Sequence, residues 1–164
     1  MIRLVFNTQQ LQHLHGLLSA MQLERIISNY AIGGGIAAKY WSNPPVTKDI
    51  DIFVKLVNYD GIDYMRPVYD LVVDNGGKWV GQHLVYHKMH LEFLPAHDLT
   101  SEAVDNAVVV TYDDIALRIM SPDYIAAIAY FVGRKKDAQR IEHMQSKGLL
   151  TDTFYYIVKK WQHK

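Results

Sequence analysis

Hydrophobic positions along the chain recur at two periods, and the change from one to the other marks out the elements. Leu11, Leu14, Leu17 and Leu18 fall at helical spacing behind a cap at Asn7 or Thr8, which predicts a helix running to about Ala20. Residues 24–29 read equally as a short second helix or as the approach to a strand. An apolar strand at Tyr30–Ile32 is followed by Gly33, Gly34 and Gly35, a helical stretch Ile36–Trp41, and the stop Asn43-Pro44-Pro45. From Asp49 the period becomes two: Asp49, Ile50, Asp51, Ile52, Phe53 and Val54 form a β-rich run reaching Leu56.

Residues 60–74 are helical in pattern, with Ile62, Met65, Val68 or Tyr69, and Val72 on one side. Pro67 implies a kink or a late start, and Asn75-Gly76-Gly77 closes the helix. Short β pieces follow at 78–80, 83–87 and 89–94, and two more strands at 106–112 and 115–120 join at Asp113-Asp114. Ser121-Pro122-Asp123 opens a helix with a serine cap, a first-turn proline and a first-turn acid. Residues 124–132 are apolar almost all round, which predicts a buried helix, and a last helix spans 151–161. The fold class is α+β: a small mixed sheet flanked by helices, with C-terminal helices after residue 120. One domain over 1–164 is expected, with the sheet in about 1–120 and the helical part in about 121–164.

Composition narrows the classes. At 164 residues and 49% apolar the chain has material for one real core. With no cysteine there is no disulfide framework, thiolate metal site or cysteine nucleophile. No apolar run approaches the ~18 residues of a membrane span, and the first residues lack a signal-peptide pattern, so a cytoplasmic protein without membrane association is expected. Net charge is zero, which argues against bulk attraction to nucleic acid. Charge is nevertheless uneven: from Gly133 onward there are eight Lys or Arg against three Asp or Glu. That basic end reads either as a phosphate-binding wall or as a solvated pair of helices.

The candidate chemistry lies in the Asp49-Ile50-Asp51 run. In a strand, side chains at i and i+2 share a face about 6–7 Å apart, so both carboxylates project together. Like charges so placed persist most cheaply with water or a divalent cation between them, and hard oxygen ligands suit magnesium with substrate phosphates. The glycines upstream allow close backbone approach, and the N–H groups opening the helix behind them are a ready phosphate seat. Glu92 lies between Leu91 and Phe93, an apolar setting that asks for a partner or a role; the plain alternative is an edge-strand Glu facing water. His13 and His15 sit on different faces of the first helix, which is read as packing only. His83 and His87, on one strand face, would stand about 13 Å apart and could not share an ion.

The stretch from Tyr30 to Leu56 resembles the nucleotidyltransferase superfamily. Gly34-Gly35-Ile36-Ala37 looks like that family's Gly-Gly-x-Ala, and Thr47-Lys48-Asp49-Ile50-Asp51 like its Thr-x-Asp-apolar-Asp. Glu92 stands where the family has a third carboxylate on a neighbouring strand. Gly133-Arg134-Lys135-Lys136-Asp137 is similar to a Gly-Arg-x-Lys-Asp segment between two helices of related proteins. The likeness covers roughly Tyr30 to Glu142 and is nearest to small bacterial and archaeal members, including toxin–antitoxin-associated ones. Where the family often has an arginine before Thr-x-Asp, this chain has Pro45 and Val46; Lys48 or Lys39 could substitute.

The resemblance implies Mg²⁺ (or Mn²⁺) held by Asp49, Asp51 and Glu92, which would also be the catalytic residues. It implies an NTP, for instance ATP, bound by Gly34, Gly35, Thr47, Lys48, Arg134, Lys136 and Asp137. The expected reaction moves an NMP to a hydroxyl-bearing acceptor, whether a tRNA end, a protein or a small molecule. Self-association or a partner chain could complete the cleft. Two other readings remain: a non-catalytic binding or regulatory module on the same fold, and a metal-dependent phosphohydrolase.

Overall fold

The computed structural model describes residues 6–42 and 49–164. Helix α1 (Thr8–Leu23) opens on a reciprocal cap. The Asn7 side chain accepts the Gln10 N–H at 2.8 Å, and the Gln10 side chain accepts the Asn7 N–H at 3.1 Å. Its buried row is Leu11, Leu14, Leu17, Leu18 and Met21, which carries the helix one turn beyond the expected end. Residues 24–29 resolve into a turn at Arg25 and the start of strand β1 (Ile27–Gly33).

Helix α2 (Gly34–Ser42) follows directly, then β2 (Asp49–Leu56), whose residues alternate between half-buried and buried throughout. Pro67 produces a late start: α3 runs Arg66–Asp74 with the proline in its first turn, and Ile62, expected on its apolar side, lies outside it and is 98% exposed. Strands β3 (Lys78–Val80), β4 (His83–Tyr86) and β5 (Met89–Pro95) form a meander, and β6 (Val108–Tyr112) pairs with β7 (Ile115–Ile119).

The sheet order is β3-β4-β5-β2-β1-β7-β6, with β5/β2 and β1/β7 parallel and the other neighbours antiparallel. This corrects one expectation. The acidic strands β2 and β5 are interior, because the β3–β4 hairpin continues the sheet past β5 and β1, β7 and β6 continue it past β2. Glu92 is therefore not an edge-strand residue.

Register decides which face each side chain uses. Ile50, Ile52, Val54, Leu91 and Phe93 share a buried face with Ile32 and Ile119; Asp49, Asp51, Phe53, Glu92 and Leu94 share the other. Helix α1 packs against β1, β7 and α3.

Helix α4 (Leu99–Asp105) had no counterpart in the expected elements. It packs on β1, β2 and α5 (Pro122–Val132), which is followed by α6 (Lys135–Ser146) and α7 (Asp152–Gln162). Glu102 ties three of these together: it accepts from the Tyr124 hydroxyl at 3.0 Å, the Trp161 indole N–H at 3.2 Å and the Lys160 ammonium. Burial opposes ionisation of Glu102, but these donors outweigh it and hold its carboxyl below the usual range. Ser121 occupies the N-cap position of α5 without a side-chain hydrogen bond; the nearby Asp123 instead accepts the Thr151 N–H at 2.8 Å, joining α5 to the start of α7. The end of α5 is not buried as its composition predicts: Tyr130, Phe131 and Val132 are exposed. Among the described residues no helix is long and apolar enough to cross a membrane.

Candidate functional site

The first half of the site comes from the parallel pair β2/β5. In their register Asp51 lies opposite Glu92 and Asp49 opposite His90, so three carboxylates stand on one sheet face, at the start of β2 and the middle of β5. The turn from β1 into α2 stands beside them, since Gly33 pairs with Asp51. Gly34 has φ +59°, and a Cβ there would lie 2.1 Å from Oδ2 of Asp51. Only glycine lets the turn close against that carboxylate.

The other half comes from α5 and α6. A cleft of about 480 Å³ separates them from the sheet face, with Gly34, Gly35, Asp49, Asp51 and Glu92 on one wall and Arg134, Lys136, Asp137 and Arg140 on the other. Gly133 makes this possible: its left-handed φ of 72° ends α5 and turns the chain into α6, so the basic residues come back over the carboxylates. α6 is tied to α2 where His143 Nε2 meets the Ser42 carbonyl at 2.9 Å. Nearby, the Trp41 indole N–H donates to the Met120 carbonyl at 2.7 Å.

Electrostatics divide these residues by task. Burial raises the Asp51 carboxyl, the charge and hydrogen bond of Glu92 raise it further, Asp49 adds to this, and Arg140 opposes; the result is about 7. Asp51 is half-buried while Glu92 opens to water, so the cost of desolvation falls on Asp51. Among the described residues no three His, Cys, Asp or Glu side chains are gathered at metal-ligand spacing.

Asp137 is 1% exposed and wholly engaged. One oxygen accepts the Arg134 backbone N–H at 3.1 Å and its Nε–H at 2.7 Å; the other accepts Nη2–H at 3.2 Å. Burial works against its charge, but Arg134 outweighs it and holds the carboxyl below the usual range. Asp137 thus orients Arg134.

Arg140 is the charged cleft residue absent from the sequence reading. It sits four positions after Lys136 on α6, where the charges of Asp137 and Asp51 both act on it, and burial pulls its guanidinium down from its ordinary value. No hydrogen bond or ion pair engages it among the described residues. The i, i+4 spacing of Lys136 and Arg140 was its signal, readable only once α6 is known to face the carboxylates.

Of the expected site residues, Gly34, Gly35, Asp49, Asp51, Glu92, Arg134, Lys136 and Asp137 converge on this one cleft. Thr47, Lys48 and the Pro45-Val46 segment lie outside the described residues. His13 and His87 lie outside this cleft: their rings stack with centroids 3.6 Å apart, a packing contact that joins α1 to the β4–β5 turn.

No family model matches this chain, and no curated protein sequence matches it. Solved structures do share its fold. The antibiotic-resistance factor ANT(2'')-Ia in solution is 17% identical, with a TM-score of 0.55 over 96% of this chain and 94% of that one. The crystal structure of ANT(2'')-Ia in complex with adenylyl-2''-tobramycin is 17% identical, with a TM-score of 0.53 over 95% and 98%. A candidate nucleotidyltransferase from Thermotoga maritima is 12% identical, with a TM-score of 0.52 over 90% and 96%.

Proposed function

This chain has the nucleotidyltransferase fold, and from that premise we propose that it transfers a nucleoside monophosphate from an NTP to a hydroxyl-bearing acceptor, releasing pyrophosphate. The observation that carries the proposal is the cleft itself: three carboxylates and a glycine turn face three cationic side chains, Arg134, Lys136 and Arg140, across it. Phosphate oxygens fit between cations and a backbone turn, and carboxylates opposite them fit a divalent cation that bridges to the same phosphates.

The donor set suits such an ion. Asp49, Asp51 and Glu92 supply only hard oxygen ligands, and the neighbouring carboxylates whose charges raise Asp51 mark a place that favours a cation. Mg²⁺ or Mn²⁺ held there would neutralise phosphate charge and lower the pKa of the acceptor hydroxyl. The chain's own groups do the rest. Gly34 and Gly35 bring backbone against the phosphate tail, Arg134 and Lys136 take its outer oxygens, and Arg140 reaches toward the phosphate nearest Asp51. Asp137 keeps the Arg134 fork pointed across the cleft. Pre-set donors of this kind stabilise charge that moves toward the leaving group.

A small molecule, an RNA end and a protein side chain all offer the hydroxyl. The complex of ANT(2'')-Ia with adenylyl-2''-tobramycin supports the first. One observation favours a second reading, a non-catalytic module of the kind found beside toxin–antitoxin partners: the carboxylates are not drawn together at metal-ligand spacing. Calorimetric titration of Mg²⁺–NTP decides between them, run with wild type, with Asp49→Ala and in EDTA. Binding that needs Mg²⁺ and Asp49, followed by pyrophosphate release with an acceptor panel, supports transfer. Absence of NTP binding leaves the module.

A further inference from the structure

Beyond the carboxylates the cleft has a second, apolar compartment. Its floor passes along β2 and β5 from Asp51 and Glu92 to Phe53 and Leu94, themselves register partners. Ile125, Ile128 and Ala129 of α5 face it from the other wall. Phe53, Leu94 and Ile128 are only half-buried, so apolar surface is left open to whatever enters. The Phe53 ring rests on Gly33, where a Cβ would meet Cε2 at 2.8 Å, so it forms part of the cleft floor.

Charged lining residues all belong to the start of β2, the middle of β5, or α6 and its cap Arg134. Among the described residues, the one uncharged polar side chain lining the cleft is Thr100, and its hydroxyl is already committed. It donates to the His97 carbonyl at 2.9 Å and accepts the His97 N–H at 2.8 Å.

We propose, resting on the nucleotidyl-transfer reading above, that this compartment holds the nucleobase and is blind to its hydrogen-bonding edge, so that all four NTPs serve as donors. With the phosphate tail between the Gly34–Gly35 turn and α6, the nucleoside leaves the α-phosphate next to the carboxylates, and the compartment lies immediately along the strands from there. A flat ring fits against Phe53 and Leu94 beneath Ile128. Contact with an aromatic face is tolerant of base identity because every base has a π-face. A site built to hydrogen-bond its substrate rejects the wrong one by about 10⁴–10⁵, whereas apolar contacts discriminate by about 10–200-fold per methylene-sized difference. The lining here is of the second kind.

The test is calorimetric titration of ATP, GTP, CTP and UTP, each with Mg²⁺, into the full chain and into Phe53→Ala and Leu94→Ala, with circular dichroism to confirm folding. Four dissociation constants within about tenfold, purines tighter for their larger stacking area, are expected. Both variants should weaken all four nucleotides and narrow the purine lead. A single NTP preferred by about 100-fold or more would overturn the inference while leaving transfer intact. So would NTP binding untouched in both folded variants, which would give the compartment to the acceptor. No binding of any NTP to wild type would remove the transfer reading and this inference with it.

Discussion

Gly34 and Asp51 compete for the same space: the carboxylate Oδ2 lies 2.1 Å from where a Cβ on residue 34 would be. The glycine's φ of +59° adds about 1–2 kcal/mol of backbone strain for any L side chain. Gly34→Ala is therefore expected to push Asp51 out of the cleft and to lower Mg²⁺–NTP affinity at least tenfold, with a lower Tm. Gly16, exposed in α1 with nothing within 4 Å of its virtual Cβ, is the control. Gly16→Ala should raise stability by about 0.5–1 kcal/mol through helix propensity alone. Calorimetric melting and nucleotide titration of the two variants check both statements.

The contrast shows what local sequence could convey. The common face of Asp49 and Asp51 was legible because a strand's two-residue period fixes it, Gly34 because a turn between strand and helix needs its backbone freedom, and Glu92 only through its apolar setting and the family resemblance. Sheet order was not legible: nothing in residues 78–86 says that their hairpin extends the sheet beyond β5, since pairing is a long-range property. Helix α4 escaped because LTSEAVD spans only two turns with a weak apolar pattern, and its Glu102 gains a purpose only from Tyr124, Lys160 and Trp161 far along the chain. Arg140 was hidden for the same reason. Its helix pattern was present, but not the wall that the helix would face.

Protonation of Asp51 makes stability depend on pH in a stated direction. Its carboxyl titrates at about 7 in the folded chain against an ordinary 3.8. Between those values the folded state holds a proton the unfolded state has lost, so stability falls as pH rises from about 4 to 7 and levels off above that. The total effect is a few kcal/mol at most. Asp51→Asn should flatten the slope in EDTA, and Mg²⁺ should stabilise wild type more at pH 8 than at pH 5, because the ion competes with that proton. Denaturant unfolding across pH, with and without Mg²⁺, measures both. A wild-type curve in EDTA that rises across this window would contradict the assignment.

Arg134 and Asp137 form a pair whose halves are unequal, since Asp137 is 1% exposed while the Arg134 side chain is 54% exposed. Removing the arginine strands a buried charge; removing both does not. Arg134→Ala is expected to cost up to about 3 kcal/mol, and Asp137→Asn in the same chain should recover part of it. Asp137→Asn alone should preserve most of the stability while weakening NTP binding, because Arg134 loses the acceptor that aims it. A double-mutant cycle of urea unfolding, paired with nucleotide titration, separates the structural effect from the binding one.

Arg140 should behave in the opposite way. Its guanidinium lies in the cleft with burial working against its charge and, among the described residues, no hydrogen bond or ion pair to repay it. A half-buried cation so placed costs some stability in the empty protein and gains its partner when a phosphate arrives. Arg140→Met keeps the length of the apolar stem and removes the charge, so Tm should stay level or rise. Triphosphate affinity should meanwhile fall about tenfold or more, the scale of a lost charge-assisted contact of about 1.5–3 kcal/mol. Arg140→Lys separates charge from shape: a point charge restores part of the binding, but not the forked contact of the guanidinium. Melting and titration of both variants give the answer directly. A large drop in Tm for Arg140→Met would mean that the guanidinium holds the fold together, and its place among the phosphate contacts would be lost.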